Sequence, residues 1–103
     1  MIDFVNARYP GAEMLPYERS KLYHWVLDRK PRYILEIGTG MGGSTYYMAE
    51  AIKKLGAGKI VTCDPVRKPN TRFFRRYPFV EYCRYCSTTV IQDVIDRNYE
   101  KTR

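Results

Sequence analysis

Apolar positions along the chain switch between a helical and a strand period, and the switches mark the elements. Residues 1–14 contain Pro10-Gly11 and little periodicity, and read as an irregular lead-in. Leu15, Leu22, Trp25 and Val26 then recur at helical spacing. Pro16 in the first turn, Glu18 near the positive end and Pro31 as a stop predict a helix over about 16–29, packed against a sheet edge. Ile34, Leu35 and Ile37 form a short apolar run over 32–37, expected to be a buried parallel strand. Tyr47, Met48, Ala51, Ile52 and Leu55 give the stripe of a second helix over 44–55, with Lys53 and Lys54 near its negative end and Gly56-Ala57-Gly58 as the stop.

A second strand follows over 59–63 and ends at Asp64-Pro65. Pro69 could open a short helix through Phe73, Phe74 and Tyr77 that Pro78 closes, and Val80, Tyr82 and Tyr85 suggest a third strand over 79–85. Val90, Ile91, Val94 and Ile95 predict a last helix over 88–99. Thr89 with Gln92 has the spacing of a capping box, and Ser87 or Thr88 could also cap. The expectation is one α/β domain over 1–103, β-α-β-α-β-α with an extra N-terminal helix, which is half of a doubly wound parallel sheet.

Composition adds limits. The chain has 103 residues, 45% hydrophobic and 28% charged, an ordinary globular balance with a modest core. Its formal charge of +7 favours anionic partners but says nothing about fold. No run reaches membrane-spanning length and Met1-Ile2-Asp3-Phe4 carries no signal-peptide pattern, so a cytoplasmic location away from membranes is expected. Three cysteines without secretory context read as reduced thiols. Cys83-x-x-Cys86 with Cys63 lacks a fourth metal ligand nearby, and buried structural thiols are expected with no metal. His24, the single histidine, reads as structural or exposed.

The chemistry concentrates between the first strand and second helix. Residues 38–43 hold four glycines, Gly38, Gly40, Gly42 and Gly43. A glycine-rich turn opening a helix lets a ligand approach the backbone and offers helix N–H groups. Gly38, Gly40 and Gly43 satisfy G-x-G-x-x-G, and Asp64 lies 21 residues after Gly43 at the end of the next strand, suited to ribose hydroxyls. That much also fits a nicotinamide or flavin site. Glu36, two residues before the first glycine, favours a cationic ligand over a pyrophosphate.

Ile34-Leu35-Glu36-Ile37-Gly38-Thr39-Gly40-Met41-Gly42-Gly43-Ser44-Thr45 resembles the first motif of class I S-adenosylmethionine-dependent methyltransferases, (E/D)-x-G-x-G-x-G. The Gly-Gly-Ser-Thr ending is similar to small-molecule O-methyltransferase-like and cephalosporin-hydroxylase-like branches. Val61-Thr62-Cys63-Asp64-Pro65 resembles the second motif. The resemblance spans about residues 32–87 and implies a Rossmann-like fold with S-adenosylmethionine as cofactor. Gly38, Gly40 and Gly42 would border its methionine part near Glu36, with Thr39 and Ser44 beside them. Asp64 would hold the ribose, and Ser87, in Cys86-Ser87-Thr88, would approach the adenine.

The family has a fourth strand beside the first, followed by substrate-binding residues, and no segment here matches it. The expectation is a truncated, cofactor-binding half, with the first strand as an apolar edge that a complementary chain or a second copy could cover. Methyl transfer to a small-molecule substrate would need the missing half, and no catalytic base can be nominated. The alternative is a non-catalytic module that binds the cofactor or nucleic acid. For the latter, Arg67, Lys68, Arg72, Arg75 and Arg76 interleave with Phe73, Phe74 and Tyr77, a mixture that can hold phosphates and stack bases; no recognised nucleic-acid-reading motif accompanies it, and a solvated short helix with its aromatics turned inward is the plainer reading.

Overall fold

The computed structural model describes residues 14–40, 42–66, 68, 71–84, 91–93 and 95–97. The elements are α1 (Pro16–Arg29), β1 (Tyr33–Ile37), α2 (Gly43–Leu55), β2 (Lys59–Cys63), α3 (Thr71–Arg76) and β3 (Val80–Cys83). Residues 91–93 and 95–97 are helical, within the last predicted helix. Both β1–β2 and β2–β3 pair in parallel, with Tyr33 opposite Lys59 and Ile60 opposite Val80, and the sheet order is β1-β2-β3. The fold is therefore the expected α/β, Rossmann-like partial parallel sheet. Tyr85, Pro69 and the caps proposed at Ser87, Thr88 and Thr89 lie outside the described residues.

Local signals explain the helix ends. Glu18 accepts the Leu15 N–H at 2.8 Å, satisfying one donor at the start of α1. Lys30 closes the helix in the left-handed region (φ 50°), its N–H on the Val26 carbonyl, and Pro31 forbids continuation. Gly56 does the same for α2, bonding Ile52 O at 3.0 Å.

The core lies between the helices and one face of the sheet. Val26 and Tyr23 of α1, Met48, Ala49, Ala51 and Ile52 of α2, Ile60 of β2, Phe73 of α3, Tyr77 and Val80 form one buried cluster. Each fully buried aliphatic or aromatic side chain here contributes about 1.5–3 kcal/mol. Phe73, Tyr77 and Phe79 stack around one another at ring separations of 5.0 and 6.0 Å.

Two expectations are corrected. The helix α1 packs chiefly on α2 and not against a sheet edge. Its buried residues are Arg19, Tyr23 and Val26, whereas Leu15 and Trp25 face solvent, Trp25 beneath the Arg29 guanidinium. The 3–4 spacing is the same for both faces, and Tyr23 with the Arg19 stem supplies the bulk that Trp25 was expected to give. The strand β1 is only half-buried, and Ile37 is 62% exposed, because β1 pairs only with β2 among the described residues. The stripe of α2 and the exposed His24 agree with expectation; His24 Nδ1 donates to the Ser20 carbonyl at 2.8 Å.

Gly58 joins α2 to β2 at φ +132°, where an added Cβ would lie 2.8 Å from Ile52 Cδ1 and 3.1 Å from the Pro31 carbonyl. Gly58→Ala should therefore lower stability by about 2–3 kcal/mol in a denaturant titration, through left-handed strain plus overpacking. Tyr77 is buried and donates to Glu50 Oε2 at 2.8 Å. Desolvation first, then that bond, pushes its phenol far above the ordinary 10.0. This stabilisation is complete below the unfolded value and is lost as pH rises above it. Alkaline unfolding should steepen above about pH 10, and Tyr77→Phe should flatten that loss.

Candidate functional site

The site is built where β1 and β2 end and α2 begins. Gly38, Gly40 and Gly42 take φ values of 91°, 58° and 93°, a left-handed sequence that side-chain-bearing residues rarely adopt. A Cβ added at Gly38 or Gly40 would meet nothing within 4 Å. One side of the turn is thus open to a ligand.

The other side is tied down. The Gly38 and Thr39 N–H groups both donate to the Cys63 carbonyl, at 2.7 and 3.1 Å, and the Gly42 N–H donates to Thr39 O at 3.1 Å. Gly40 N–H donates to Asp64 Oδ2 at 2.9 Å, while Asp64 Oδ1 accepts the Val66 N–H at 2.9 Å. Asp64 is therefore held at the tip of β2, facing the turn. Tyr82 reaches over from β3 and donates its hydroxyl to Asp64 O at 2.6 Å.

Beneath the turn the Glu36 carboxylate collects hydroxyls. Thr62 Oγ1 donates to Glu36 Oε1 at 2.7 Å, Thr45 donates to the same oxygen, and Ser44 donates to Oε2. Thr39 and Thr62 hydroxyls lie 2.6 Å apart. Thr45 and Thr62 are fully buried. No acidic residue stands in the first turn of α2 itself, so Glu36 supplies the negative charge that its positive end favours.

Of the residues singled out by sequence, Glu36, Gly38, Thr39, Gly40, Gly42, Ser44 and Asp64 come together around one turn. Ser87 lies outside the described residues. Two contributors were missed: Thr45 and Thr62. Thr45, in the turn of α2 that follows the glycines, could have been found from its place in the sequence; Thr62 could not, because only the parallel register sets it opposite Glu36.

A model of the rhamnosyl O-methyltransferase/CmcI family matches residues 7–102, nearly the whole chain. The chain belongs to that family. It is thus a methyltransferase-like protein, in agreement with the class I resemblance carried by the glycine turn. A comparison with curated proteins finds no match.

Other candidate features of this methyltransferase-like chain resolve less chemistry. Arg72, Arg75 and Arg76 are exposed along α3, but Phe73 and Tyr77 are buried and Phe74 is half-buried. Lys68 lies over the Tyr82 and Phe74 rings at 5.1 and 5.9 Å, and Arg76 over Tyr77 and Tyr46 at 5.5 and 6.0 Å. These rings are packed or capped rather than offered for stacking; Arg67 lies outside the described residues. Cys63 is buried and Cys83 half-buried, neither of them in a disulfide among the described residues, and Cys86 lies outside the described residues. Among the described residues no group of three potential metal ligands occurs, and no helix is long and apolar enough to cross a membrane. A cavity of about 440 Å³ lined by Arg32, Tyr33, Ala57, Gly58 and Lys59 lies at the opposite end of the strands from the turn.

Glu36→Ala would leave the buried hydroxyls of Thr45 and Thr62 without that acceptor. It should cost about 3 kcal/mol of stability by denaturant titration, and Glu36→Gln less, because the amide oxygen still accepts.

Proposed function

We propose that the chain binds S-adenosylmethionine in the glycine turn and serves methyl transfer to an oxygen acceptor, the activity that the family's description carries. The observation that supports this best is the fate of the turn's donors. A glycine loop that cradles phosphate aims its N–H groups at the ligand. Here the Gly38, Thr39, Gly40 and Gly42 N–H groups are all given to protein acceptors. What the turn presents instead is open backbone flanked by two carboxylates, Glu36 below and Asp64 beside it. That polarity suits a cationic nucleoside and disfavours a pyrophosphate.

The residues present fit the cofactor. Gly38 and Gly40 leave room for its amino-acid part, Glu36 sets a negative field beneath it, and Asp64, fixed by two backbone N–H groups, would accept from ribose hydroxyls. Thr39 and Ser44 shape the turn through their bonds within the Glu36 cluster. When bound, the cofactor supplies a methyl group made electrophilic by its sulfonium. The chain's own part is to hold that end in one orientation for an acceptor to approach in line.

Titration calorimetry with S-adenosylmethionine, S-adenosylhomocysteine and NAD tests the reading. Micromolar binding of the first two is expected, weakened about 10- to 100-fold in Asp64→Ala through loss of charged hydrogen bonds. Tight NAD binding with none for S-adenosylhomocysteine would sink it.

A further inference from the structure

Thr62 is neither a glycine of the turn nor the acidic residue of the strand-end motif that contains it, yet it occupies the centre of the hydroxyl cluster. It is fully buried on β2, 2.7 Å from Glu36 Oε1 and 2.6 Å from Thr39 Oγ1. A hydroxyl carries one proton, and a carboxylate only accepts. The Thr62 proton therefore goes to Glu36, and Thr39 must donate its own proton to Thr62. Ser44 and Thr45 also donate to Glu36. All four hydroxyl protons run towards one carboxylate, which leaves the lone pairs of Thr39 and Ser44 turned away from it.

Resting on the cofactor reading above, we propose that Thr62 is a positioning residue that makes the floor of the turn acceptor-only. It fixes Thr39 as the proton donor of an inward chain and anchors the Glu36 carboxylate below the glycines. With a fixed, acceptor-only floor, the turn favours the protonated amine of an amino-acid end over a neutral group in the same place. A valine at this position keeps the shape and removes the relay. The Thr39 hydroxyl then loses its acceptor and can rotate, and Glu36 Oε1 loses one of its donors.

The test compares S-adenosylhomocysteine with adenosine, which has the nucleoside but no amino-acid end, by calorimetry on the whole chain. Thr62→Val should weaken S-adenosylhomocysteine about tenfold, the worth of one charged hydrogen bond, and leave adenosine unchanged. Thr62→Ser should restore the wild-type ratio. Thr39→Val, which cuts the relay at its other end, should give the same selective loss and serves where Thr62→Val does not fold. Undiminished S-adenosylhomocysteine binding in a folded relay variant would overturn the inference alone. So would an equal weakening of both ligands, the mark of a merely structural residue. Failure of the wild-type chain to bind either ligand would overturn the cofactor reading and this inference with it.

Discussion

The Glu36 carboxylate is the constraint on which the rest of this half-sheet depends. A charge at the end of a strand that is an edge among the described residues would ordinarily turn to water. Here it faces the helix layer and is satisfied by hydroxyls from the turn of α2 and from β2. One side chain thereby fixes three separate elements relative to one another. Two of its donors are fully buried, so the arrangement is costly to break from either side. The glycine turn inherits its shape from this anchor. With β1, β2 and the start of α2 held, the backbone between Ile37 and Gly43 must cross a short gap through left-handed conformations, and glycine meets that demand.

Glycine-rich turns after a strand are shared by phosphate cradles and by other nucleoside sites, and spacing alone does not separate them. What separates them is where the N–H groups go. In this chain those of Gly38, Thr39, Gly40 and Gly42 are consumed by the Cys63 carbonyl, by Thr39 and by Asp64. The local field is then set by carboxylates and oxygen lone pairs. Exposed positive charge lies elsewhere, at Arg72, Arg75 and Arg76 of α3 and at Lys53 and Lys54 at the end of α2. A strongly basic composition thus coexists with a candidate site flanked by carboxylates.

Most of the element boundaries were legible because proline and glycine punctuate them. Pro16, Pro31 and Gly56 stand where the helices start or stop, and the helix and strand periods between them are distinct. The face of α1 was not legible. Trp25 outranks Tyr23 in apolar bulk, but a helix that packs on a neighbouring helix chooses its face by fit, and Arg19 can bury its aliphatic stem there. The candidate residues that gather at the turn, all those named except Ser87, were legible as a set, since glycines and carboxylates at fixed separations stand out in the sequence. Their mutual wiring was not. That Glu36 answers to Thr62 follows from parallel pairing in register, a tertiary fact invisible until β1 and β2 lie side by side.

That pairing also sets the order in which the protein can assemble. Glu36 and Thr62 are 26 residues apart, and α2 fills most of the interval. A parallel pair cannot zip from a hairpin, so the crossover must first close a loop whose entropy is repaid only afterwards. Helix α2 shortens that loop as it forms, because a helix spans about 1.5 Å per residue where an extended chain spans more than twice that. The glycine turn closes the start of that crossover, and its bonds to Cys63 and Asp64 can exist only with β2 in place beside β1. A ligand that binds only the sealed form draws the whole equilibrium towards it, coupling occupancy of the site to the integrity of the sheet beneath.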